Sequence, residues 1–462
     1  MQELPTEILV IAFKAAVRQA TRSADRYISL FCLMLVCRQW CDIIIGNTTF
    51  WSHVTASDEE SIRFALKSIG RSGNSQLSAR LTWNSSVTAK QMVALLSKLA
   101  GRSHQLTKFS IVAPSPLTIP RWTSPANNLH TLVLRNKGAQ QPLIDFFGGP
   151  LPQLRYLALE GFCSWPAGLF CGLYYITLQL PSTSGTTSFA DFLNLLAASP
   201  GLRSLNISGC TGTPRFRHPP KAIALPHLTS LTIYKSSSHD VLSHVSLPSD
   251  VEVRLIECTN IMNDRGVNSP LGPGDSTPSF LAGLFTLRVV FDVKHSTLNL
   301  TAFKHRRSTP ALVIKEKFTS QFRNGVIKSL EGYATTPAFA SVEALFVVAD
   351  TPFQMPWNRW LASFRTLRQV VVRTRHAATL RAILHSELGC DPVLYPCRKF
   401  SSTQKAPGME YIHIDWRATS HHIHYHCTFE DVSCTEPRGM GGLVSQMKPR
   451  GVVTSRRGRD WD

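Results

Sequence analysis

Histidine and cysteine side chains are concentrated near the end of the chain, where their types could support metal chemistry. A structural zinc ion needs four nitrogen or sulfur ligands that converge tetrahedrally. On a strand, however, alternate residues point to opposite sides, which divides this cluster between two faces, and no second pair of the CxxC or HxxxH kind follows. We therefore expect a polar final strand with no bound metal. The residues concerned are His413, His421, His422, His424, His426, Cys427 and Cys434.

Motifs of common enzyme classes do not occur in the sequence. It contains no GxxxxGK[ST] phosphate loop, no GxSxG nucleophile turn, no HExxH zinc motif and no GxGxxG that opens a helix. Isolated Cys, His and Asp residues are many, but nothing in their spacing fixes a geometry. We therefore expect a protein without catalytic residues and without a cofactor.

The cysteine content indicates the compartment. Eleven cysteines are scattered along the chain, the number is odd, and none belongs to a CxxC pair. This usage is typical of reduced thiols in the cytoplasm or the nucleus. The apolar run from Tyr27 to Cys37 is much shorter than the roughly 20 residues of a membrane-spanning helix. We therefore expect a soluble chain with no membrane partner, located in the cytoplasm or the nucleus.

The basic excess raises the question of a polyanionic partner. Lys and Arg number 49 against 30 Asp and Glu, a net charge of +19, and the excess is greatest in residues 294–328 and after Arg438. A nucleic-acid surface needs such charge on one ordered face, with aromatic residues between the charges. Outward positions of the predicted strands are instead mixed in character. Solvated loops and a basic tail explain the excess better, so a nucleic-acid partner is not expected.

One apolar pattern dominates most of the chain and predicts its architecture. An apolar residue is followed three and five positions later by two more, and the first six copies start 23, 25, 19, 29 and 26 residues apart. Leucine-rich repeats recur every 20 to 29 residues with an LxxLxL core. Any half-buried strand alternates in this way, but nine copies at this spacing favour the repeat. The copies are LTKFSI, LHTLVL, LRYLAL, LYYITL, LRSLNI, LTSLTI, LFTLRV, VEALFV and LRQVVV.

The repeats predict an α/β fold in which a curved parallel sheet is covered by outer helices, as an irregular leucine-rich-repeat solenoid. GLRSLNISGC, with Gly209, comes nearest to a well-formed copy. The central leucines should then be buried in parallel strands of one sheet; we name Leu132, Leu157, Leu205, Leu231 and Leu345. Aromatic residues at outward strand positions are candidate substrate contacts, namely Tyr156, Tyr175, Tyr234 and Phe346.

Other segments complete the predicted organisation. SIRFALKSIG and AKQMVALLSKLAG have helical periodicity and flank a short strand, LSARLTW. We divide the chain into a helical module (1–54), a helical and strand connector that caps the solenoid (55–105), the irregular repeats (106–388) with a loop at 263–279, a C-terminal cap region (389–434) and a basic, disordered tail (435–462).

The first residues form the most specific pattern in the sequence. Pro5 suits the first turn of a helix, since its missing N–H would have no partner there. Ile8, Leu9 and Phe13 then fall on one helical face, and Trp40 follows Val36 by four residues. Two or three short helices around a small shared core are therefore expected.

These residues resemble the F-box family. The F-box pattern begins LPxEIL, carries a central VCRxW and closes with Phe-Trp or Leu-Trp. The corresponding segments are residues 4–9 (LPTEIL), 36–40 (VCRQW) and 50–51 (FW). The spacer between the first two is longer than in the shortest F-boxes and resembles F-box-like variants that are abundant in fungi, where irregular leucine-rich repeats often follow.

The resemblance implies a non-catalytic substrate-recognition subunit of an SCF-type ubiquitin ligase. The module would bind a Skp-type adaptor, and through it a cullin, while the repeats bind a protein substrate of unknown identity. Three alternatives stay open: a helical cap that serves only the repeats, a repeat scaffold with no ligase association, and, less favoured, a basic nucleic-acid-binding protein. The implied adaptor contacts are Leu4, Pro5, Ile8, Leu9, Leu35, Val36, Cys37 and Trp40.

Overall fold

A computed structural model gives the fold of the chain. It describes residues 4–19, 23–84, 86–114, 122, 124–138, 141–143, 147–180, 189–209, 222–236 and 238–258. Further along, it describes residues 281–292, 297–304, 310–317, 330, 339, 341–349, 364, 366–367, 369–374, 411–415 and 424–428.

Seven helices lie in the described part of the chain, and three of them come first, before any strand. The two helices predicted after Trp51 are confirmed as α4 and α5. Asp58 caps α4 by accepting the N–H of Ser61 at 2.8 Å, and this bond is the main cause of a lowered Asp58 pKa. The helices are α1 (Thr6–Arg18), α2 (Ser23–Met34), α3 (Arg38–Gly46), α4 (Glu59–Arg71), α5 (Ala89–Ala100), α6 (Phe189–Ala197) and α7 (Ser238–Ser243).

The strands before residue 258 follow the apolar pattern of the sequence. Six of the nine LxxLxL copies fall here, and each lies on a strand. These strands are β1 (His53–Ala56), β2 (Leu77–Thr82), β3 (Leu106–Ala113), β4 (Thr131–Asn136), β5 (Gln141–Pro142), β6 (Tyr156–Glu160), β7 (Phe162–Ser164), β8 (Tyr175–Gln179), β9 (Ser204–Ser208), β10 (Ile223–Ala224), β11 (Ser230–Tyr234), β12 (Val245–Ser246) and β13 (Glu252–Ile256).

The later strands include the other three copies. LFTLRV lies on β14, VEALFV on β17 and LRQVVV on β18. The strands are β14 (Leu284–Asp292), β15 (Thr297–Lys304), β16 (Leu312–Lys317), β17 (Ala344–Ala349), β18 (Gln369–Thr374), β19 (Tyr411–Asp415) and β20 (His424–Thr428).

One sheet of 16 strands contains all nine copies. Its order is β1-β2-β3-β4-β6-β8-β9-β11-β13-β16-β15-β14-β17-β18-β19-β20. Pairing is parallel from β1 to β16, antiparallel on both sides of β15, parallel again from β14 to β18, and antiparallel at β19 and β20. The chain is therefore an α/β protein with a large, mostly parallel sheet and a helical N-terminal part.

The predicted positions of the five central leucines are confirmed. Leu132, Leu157, Leu205, Leu231 and Leu345 are all buried, and their strands run in the same direction within the one sheet. The first four belong to one row of directly paired residues that runs Leu132, Leu157, Ile176, Leu205 and Leu231 across neighbouring strands. Their alignment in register explains why the same spacing recurs along the chain.

Most of the copies extend three residues upstream of the motif. In these, the apolar residue that opens LxxLxL donates its N–H to the carbonyl of a residue three positions earlier, and that earlier residue is also buried. The donor and acceptor pairs are Leu129 with Ala126, Leu154 with Leu151, Leu202 with Ser199, Leu228 with Leu225, Val342 with Phe339, and Leu367 with Phe364. In LYYITL, Leu173 instead donates to the Ser199 hydroxyl.

Two glycines permit a close approach of neighbouring turns where strands end. Gly209 has a φ of +78°, and a Cβ there would lie 1.7 Å from the Leu180 carbonyl oxygen. Gly161 has the same φ, and its Cβ would lie 2.0 Å from the Asn136 carbonyl oxygen. Only glycine fits such positions, because other residues are strained at positive φ and would collide with the neighbouring backbone.

The sheet extends further than the repeat motif indicates. It begins at β1, so parallel pairing already runs through the segment that the sequence predicts as a connector. Strand β13 (EVRLI) lacks an apolar residue three positions after Val251 and alternates instead as Val251, Val253 and Leu255. Strands β14, β15 and β16 form an antiparallel unit, and β16 pairs in parallel with β13. This pairing joins the strands before residue 258 to those after residue 284 in one sheet.

Several predicted features lie outside the described residues. These are the loop at 263–279, the tail at 435–462 and most of the cap region at 389–434, of which only the strands β19 and β20 are described. The side chains of the histidine and cysteine cluster lie outside them as well. Residues 424–428 do form a strand, as expected for the end of this segment, and His424 pairs with Asp415 in the backbone register.

Candidate functional site

The N-terminal helices enclose a small core of their own. Pro5 starts α1, where its carbonyl accepts the N–H groups of Ile8 at 3.0 Å and Leu9 at 3.2 Å. One face of α1 then buries Leu9, Phe13 and Val17, which recur every four residues. The complete core cluster is Leu9, Phe13, Val17, Tyr27, Leu30, Ile44, Phe50, Trp51 and Phe64.

The opposite faces of these helices are also apolar, but they are exposed. On α1, Leu4, Ile8 and Ile11 follow one another by four and three residues, so they form one stripe turned away from the buried face. In the turn after α2, Leu35 is 83% exposed. Eight large hydrophobic side chains of this module are exposed: Leu4, Ile8, Ile11, Ile28, Phe31, Leu35, Val36 and Ile45.

The predicted adaptor contacts divide into an exposed set and a core set. The exposed residues are Leu4, Pro5, Ile8, Leu35, Val36 and Cys37. Leu9, by contrast, is only 7% exposed and belongs to the core of the module. Trp40 is half-buried, with its ring centroid 4.6 Å from that of Phe13. Leu9 and Trp40 therefore support the exposed face from within, because helical periodicity places Leu9 about 100° away from Ile8.

Sequence reasoning missed four exposed apolar residues of this module, namely Ile11, Ile28, Phe31 and Ile45. On α1, the feature that would have indicated such residues is a second stripe of apolar side chains on the side opposite the buried one. Because α1 is apolar on two opposite sides, its pattern indicates burial in two directions, one inside the module and one outside it. A single face cannot hold all of its apolar residues.

The module is fixed to the edge of the sheet. The Tyr27 hydroxyl donates to the Thr55 carbonyl of β1 at 3.0 Å and accepts the Thr55 N–H at 2.6 Å. Phe64 of α4 completes the module core, with its ring centroid 4.1 Å from that of Tyr27. Trp51 is buried, donates its indole N–H to the Ile44 carbonyl at 2.9 Å and has the Arg71 guanidinium 4.7 Å from its ring centroid. The Phe50-Trp51 pair therefore joins the helices to the α/β part.

The four candidate substrate contacts do not form one group. Tyr156 and Tyr175 are directly paired on β6 and β8, and their ring centroids are 6.3 Å apart. Tyr234 lies two strands beyond Tyr175 and four residues further along the strand register, and Phe346 lies on β17 in the distant half of the sheet. The structure therefore brings together only the first two.

Tyr174 is a surface residue that sequence reasoning missed. It is 38% exposed and precedes β8, between an arginine of each neighbouring repeat. The guanidinium carbons of Arg155 and Arg203 lie 5.4 Å and 5.2 Å from its ring centroid, within the range of cation–π attraction. The signal was available, because each of these residues follows the first leucine of its LxxLxL copy.

Two other arginines on the outward face are paired with carboxylates. Arg135 on β4 lies 3.8 Å from the Glu160 carboxylate on β6, and Arg254 lies 2.7 Å from Glu252 on the same strand. Such exposed pairs contribute little to stability. They do neutralise these arginines, whereas Arg155 and Arg203 take part in none of the ion pairs between the residues that the structure describes.

Buried thiols and possible metal ligands give no reactive site in the described segments. Burial raises the pKa of the Cys258 thiol to about 11, and its Sγ lies 3.4 Å from the Ile233 carbonyl oxygen. A partly buried thiol with a raised pKa carries little thiolate at neutral pH and is therefore a poor nucleophile. Among the described residues, no group of three or more His, Cys, Asp or Glu is arranged to hold a metal ion.

No family model matches this chain, and no curated protein matches it either. None of the helices within the described ranges is both long and apolar enough to cross a bilayer.

Proposed function

We propose that this protein is a non-catalytic substrate-recognition subunit of an SCF-type cullin-RING ubiquitin ligase. In this proposal, the exposed apolar face of α1, α2 and the turn at residues 35–37 binds a Skp-type adaptor, and through it a cullin. The sheet and its helices act as an irregular leucine-rich-repeat solenoid that binds a protein substrate.

The observation that carries the proposal is the exposure of eight large hydrophobic side chains within the first 45 residues. Exposed apolar patches mark interaction sites in folded proteins, and the stripe of Leu4, Ile8 and Ile11 forms such a patch. Covering one aliphatic side chain contributes about 1.5 to 3 kcal/mol. A partner that covers half of them would gain about 6 to 12 kcal/mol, which is comparable with the roughly 4 to 15 kcal/mol lost on association.

If the helices served only as a cap for the sheet, this role would explain the apolar residues of their buried face but not those of their exposed face. Through Tyr27 and Phe64, the buried face of the module covers the edge strand β1. A cap needs only that face, and its outer surface should be polar. Leu4, Ile8 and Ile11 lie on the other side, so a capping role gives no reason for their exposure.

The repeat geometry supports the receptor half of the proposal. Each of these repeats contributes one strand in register with its neighbours, and the upstream hydrogen-bonded turn recurs in most of them. Solenoids of this type present an extended row of outward side chains to their partners. The outward face here carries tyrosine and arginine, residues that are frequent in the energetic centres of interfaces.

The test is co-purification of the full chain with a Skp-type adaptor. The variant Ile8→Glu with Leu35→Glu places charge on two exposed positions of the module. Binding to the adaptor should fall at least tenfold, since an unpaired buried charge costs well over the roughly 1.4 kcal/mol that corresponds to that factor. Circular dichroism and the melting temperature should remain unchanged, because both side chains are exposed in the free chain.

Tyr175→Glu is the matched control. It introduces the same charge at an exposed large side chain on the sheet and should leave adaptor binding unchanged. If the natural chain does not bind the adaptor, or if the double variant binds it equally well, the ligase role fails. A repeat scaffold without ligase association then becomes the preferred function.

A further inference from the structure

Exposed large hydrophobic side chains occur at only two places in the described part of the chain. One is the N-terminal module, and the other is the pair Tyr174 and Tyr175 at the start of β8. The strands from β1 to β17 otherwise bury their large apolar residues or half-cover them. The second place is therefore as unusual for this molecule as the first, and the adaptor face does not account for it.

Arginines hold Tyr174 in place from both neighbouring repeats. The Arg155 guanidinium is fixed by Nη1, which donates to the carbonyls of Leu154 at 2.9 Å and Pro152 at 3.1 Å. Arg203 approaches the same ring from β9, on the other side of β8. Gly201 lies beside the same ring, since a Cβ there would be in van der Waals contact with Tyr174 at 3.4 Å.

Tyr175 extends this arrangement onto the face of the sheet. Its ring lies beside that of Tyr156, and its own exposure is 43%. Aromatic rings and two guanidinium groups thus surround the start of β8. We call Arg155, Tyr156, Tyr174, Tyr175 and Arg203 the Tyr–Arg cluster.

We propose that the Tyr–Arg cluster binds an acidic peptide segment that also carries an aromatic or large apolar side chain. The two guanidinium groups lack carboxylate partners among the described residues, so they can bind carboxylates of a ligand in bidentate fashion. Tyr156 and Tyr175 provide an aromatic surface for the apolar side chain. Because contacts within the cluster already restrict these side chains, less conformational entropy is lost on binding.

This inference deepens the proposed function and rests on it, since it assigns a chemical class to the substrate of a receptor. A peptide fits the cluster better than a nucleic acid does. The two arginines of the cluster directly precede β6 and β9, and the same face carries Glu160 on β6 and Glu252 on β13. An extended phosphate backbone would meet those carboxylates, whereas a short acidic segment need not reach them.

The experiment measures binding to the purified full chain without the adaptor, by fluorescence polarisation. The probe is a labelled peptide of alternating Glu and Tyr. A peptide of alternating Lys and Tyr and a single-stranded oligonucleotide of similar length serve as comparisons. The Glu-Tyr peptide should bind the chain at least tenfold more tightly than either. Arg203→Glu should weaken this binding at least tenfold, and Tyr175→Ala severalfold.

Arg80→Glu is the matched control, because Arg80 is exposed on the outward face of β2, five strands from Arg203. It makes the same change in net charge and should alter peptide binding less than twofold. The proposal is overturned if the Glu-Tyr peptide does not bind, if Arg80→Glu weakens it as much as Arg203→Glu, or if the oligonucleotide binds more tightly. Adaptor binding of Arg203→Glu, measured separately, should equal that of the natural chain, so the ligase role and the peptide site can fail independently.

Discussion

Tyr27 and Thr55 form two hydrogen bonds between one hydroxyl and the backbone of one residue. The hydroxyl donates to the Thr55 carbonyl at 3.0 Å and accepts the Thr55 N–H at 2.6 Å. Thr55 belongs to β1, the edge strand of the 16-stranded sheet. An exposed edge is a site for unwanted strand pairing, and here a side chain from the helical module satisfies part of it.

Replacing Tyr27 by Phe should therefore destabilise the protein without creating a cavity. The Thr55 N–H and carbonyl would lose their partner in a largely buried place, which costs about 1 to 3 kcal/mol. Urea unfolding followed by circular dichroism measures this change. Tyr175→Phe removes an exposed hydroxyl and should be nearly neutral; an equal effect of both substitutions would show that the Thr55 bonds contribute nothing.

The Tyr27 hydroxyl also makes the stability of the protein depend on pH, because it is buried and can ionise. Burial raises the pKa of Tyr27, and the hydrogen bonds with Thr55 oppose this shift only in part. The neutral Tyr27 hydroxyl therefore contributes its full stabilisation below the unfolded-state pKa of about 10. This contribution declines as the pH rises above that value towards the higher pKa of Tyr27 in the folded state. Tyr27→Phe should remove this part of the alkaline decline, which a series of urea titrations above neutral pH can detect.

Gly209→Ala should destabilise the sheet because two effects combine at this position. The residue has a φ of +78°, and the new Cβ would lie 1.7 Å from the Leu180 carbonyl oxygen. Positive φ alone costs about 1 to 2 kcal/mol for a residue with a Cβ. Gly168→Ala is the matched control, since its φ is +74° and its new Cβ would have no neighbouring atom within 4 Å. The melting temperature should fall more for Gly209→Ala, and equal losses would exclude the backbone collision.

The strands were predictable because burial repeats in them with a fixed spacing. All nine LxxLxL copies lie on strands of one sheet, since each strand must place the same positions in the same core. Strand β13 was not predicted, because Val251, Val253 and Leu255 alternate every second residue and lack the three-residue step of LxxLxL. The antiparallel return through β15 was not predicted either, because the spacing along the chain does not determine which strands become neighbours.

The candidate sites were predictable only in part. Apolar residues at the N-terminus indicated a partner surface, but periodicity could not separate Leu9, which is buried, from Ile8, which is 48% exposed. That choice depends on how α1 packs against α2 and α3. Tyr174 was overlooked because it precedes its strand, and its contacts with Arg155 and Arg203 come from repeats 19 and 29 residues away in the chain.

The cysteines allow the proposed adaptor surface to be mapped without substitutions. Cys32 and Cys37 are exposed on the N-terminal module, whereas burial raises the pKa of Cys258 to about 11. The thiolate is the form that reacts with iodoacetamide. At about pH 8, alkylation followed by peptide mass spectrometry should therefore label Cys32 and Cys37 at least tenfold faster than Cys258.

Adding a saturating amount of the Skp-type adaptor should slow alkylation of Cys37 severalfold, because the proposed interface covers the turn formed by Leu35, Val36 and Cys37. Cys258 lies after β13, far along the sheet order from β1, and its slow labelling should not change. A lower alkylation rate of Cys258 in the presence of the adaptor would instead show that the adaptor stabilises the whole fold. If a complex forms and Cys37 remains as reactive as in the free chain, this turn is not part of the interface, and the contact must be made by the exposed residues of the helices, such as the stripe of Leu4, Ile8 and Ile11.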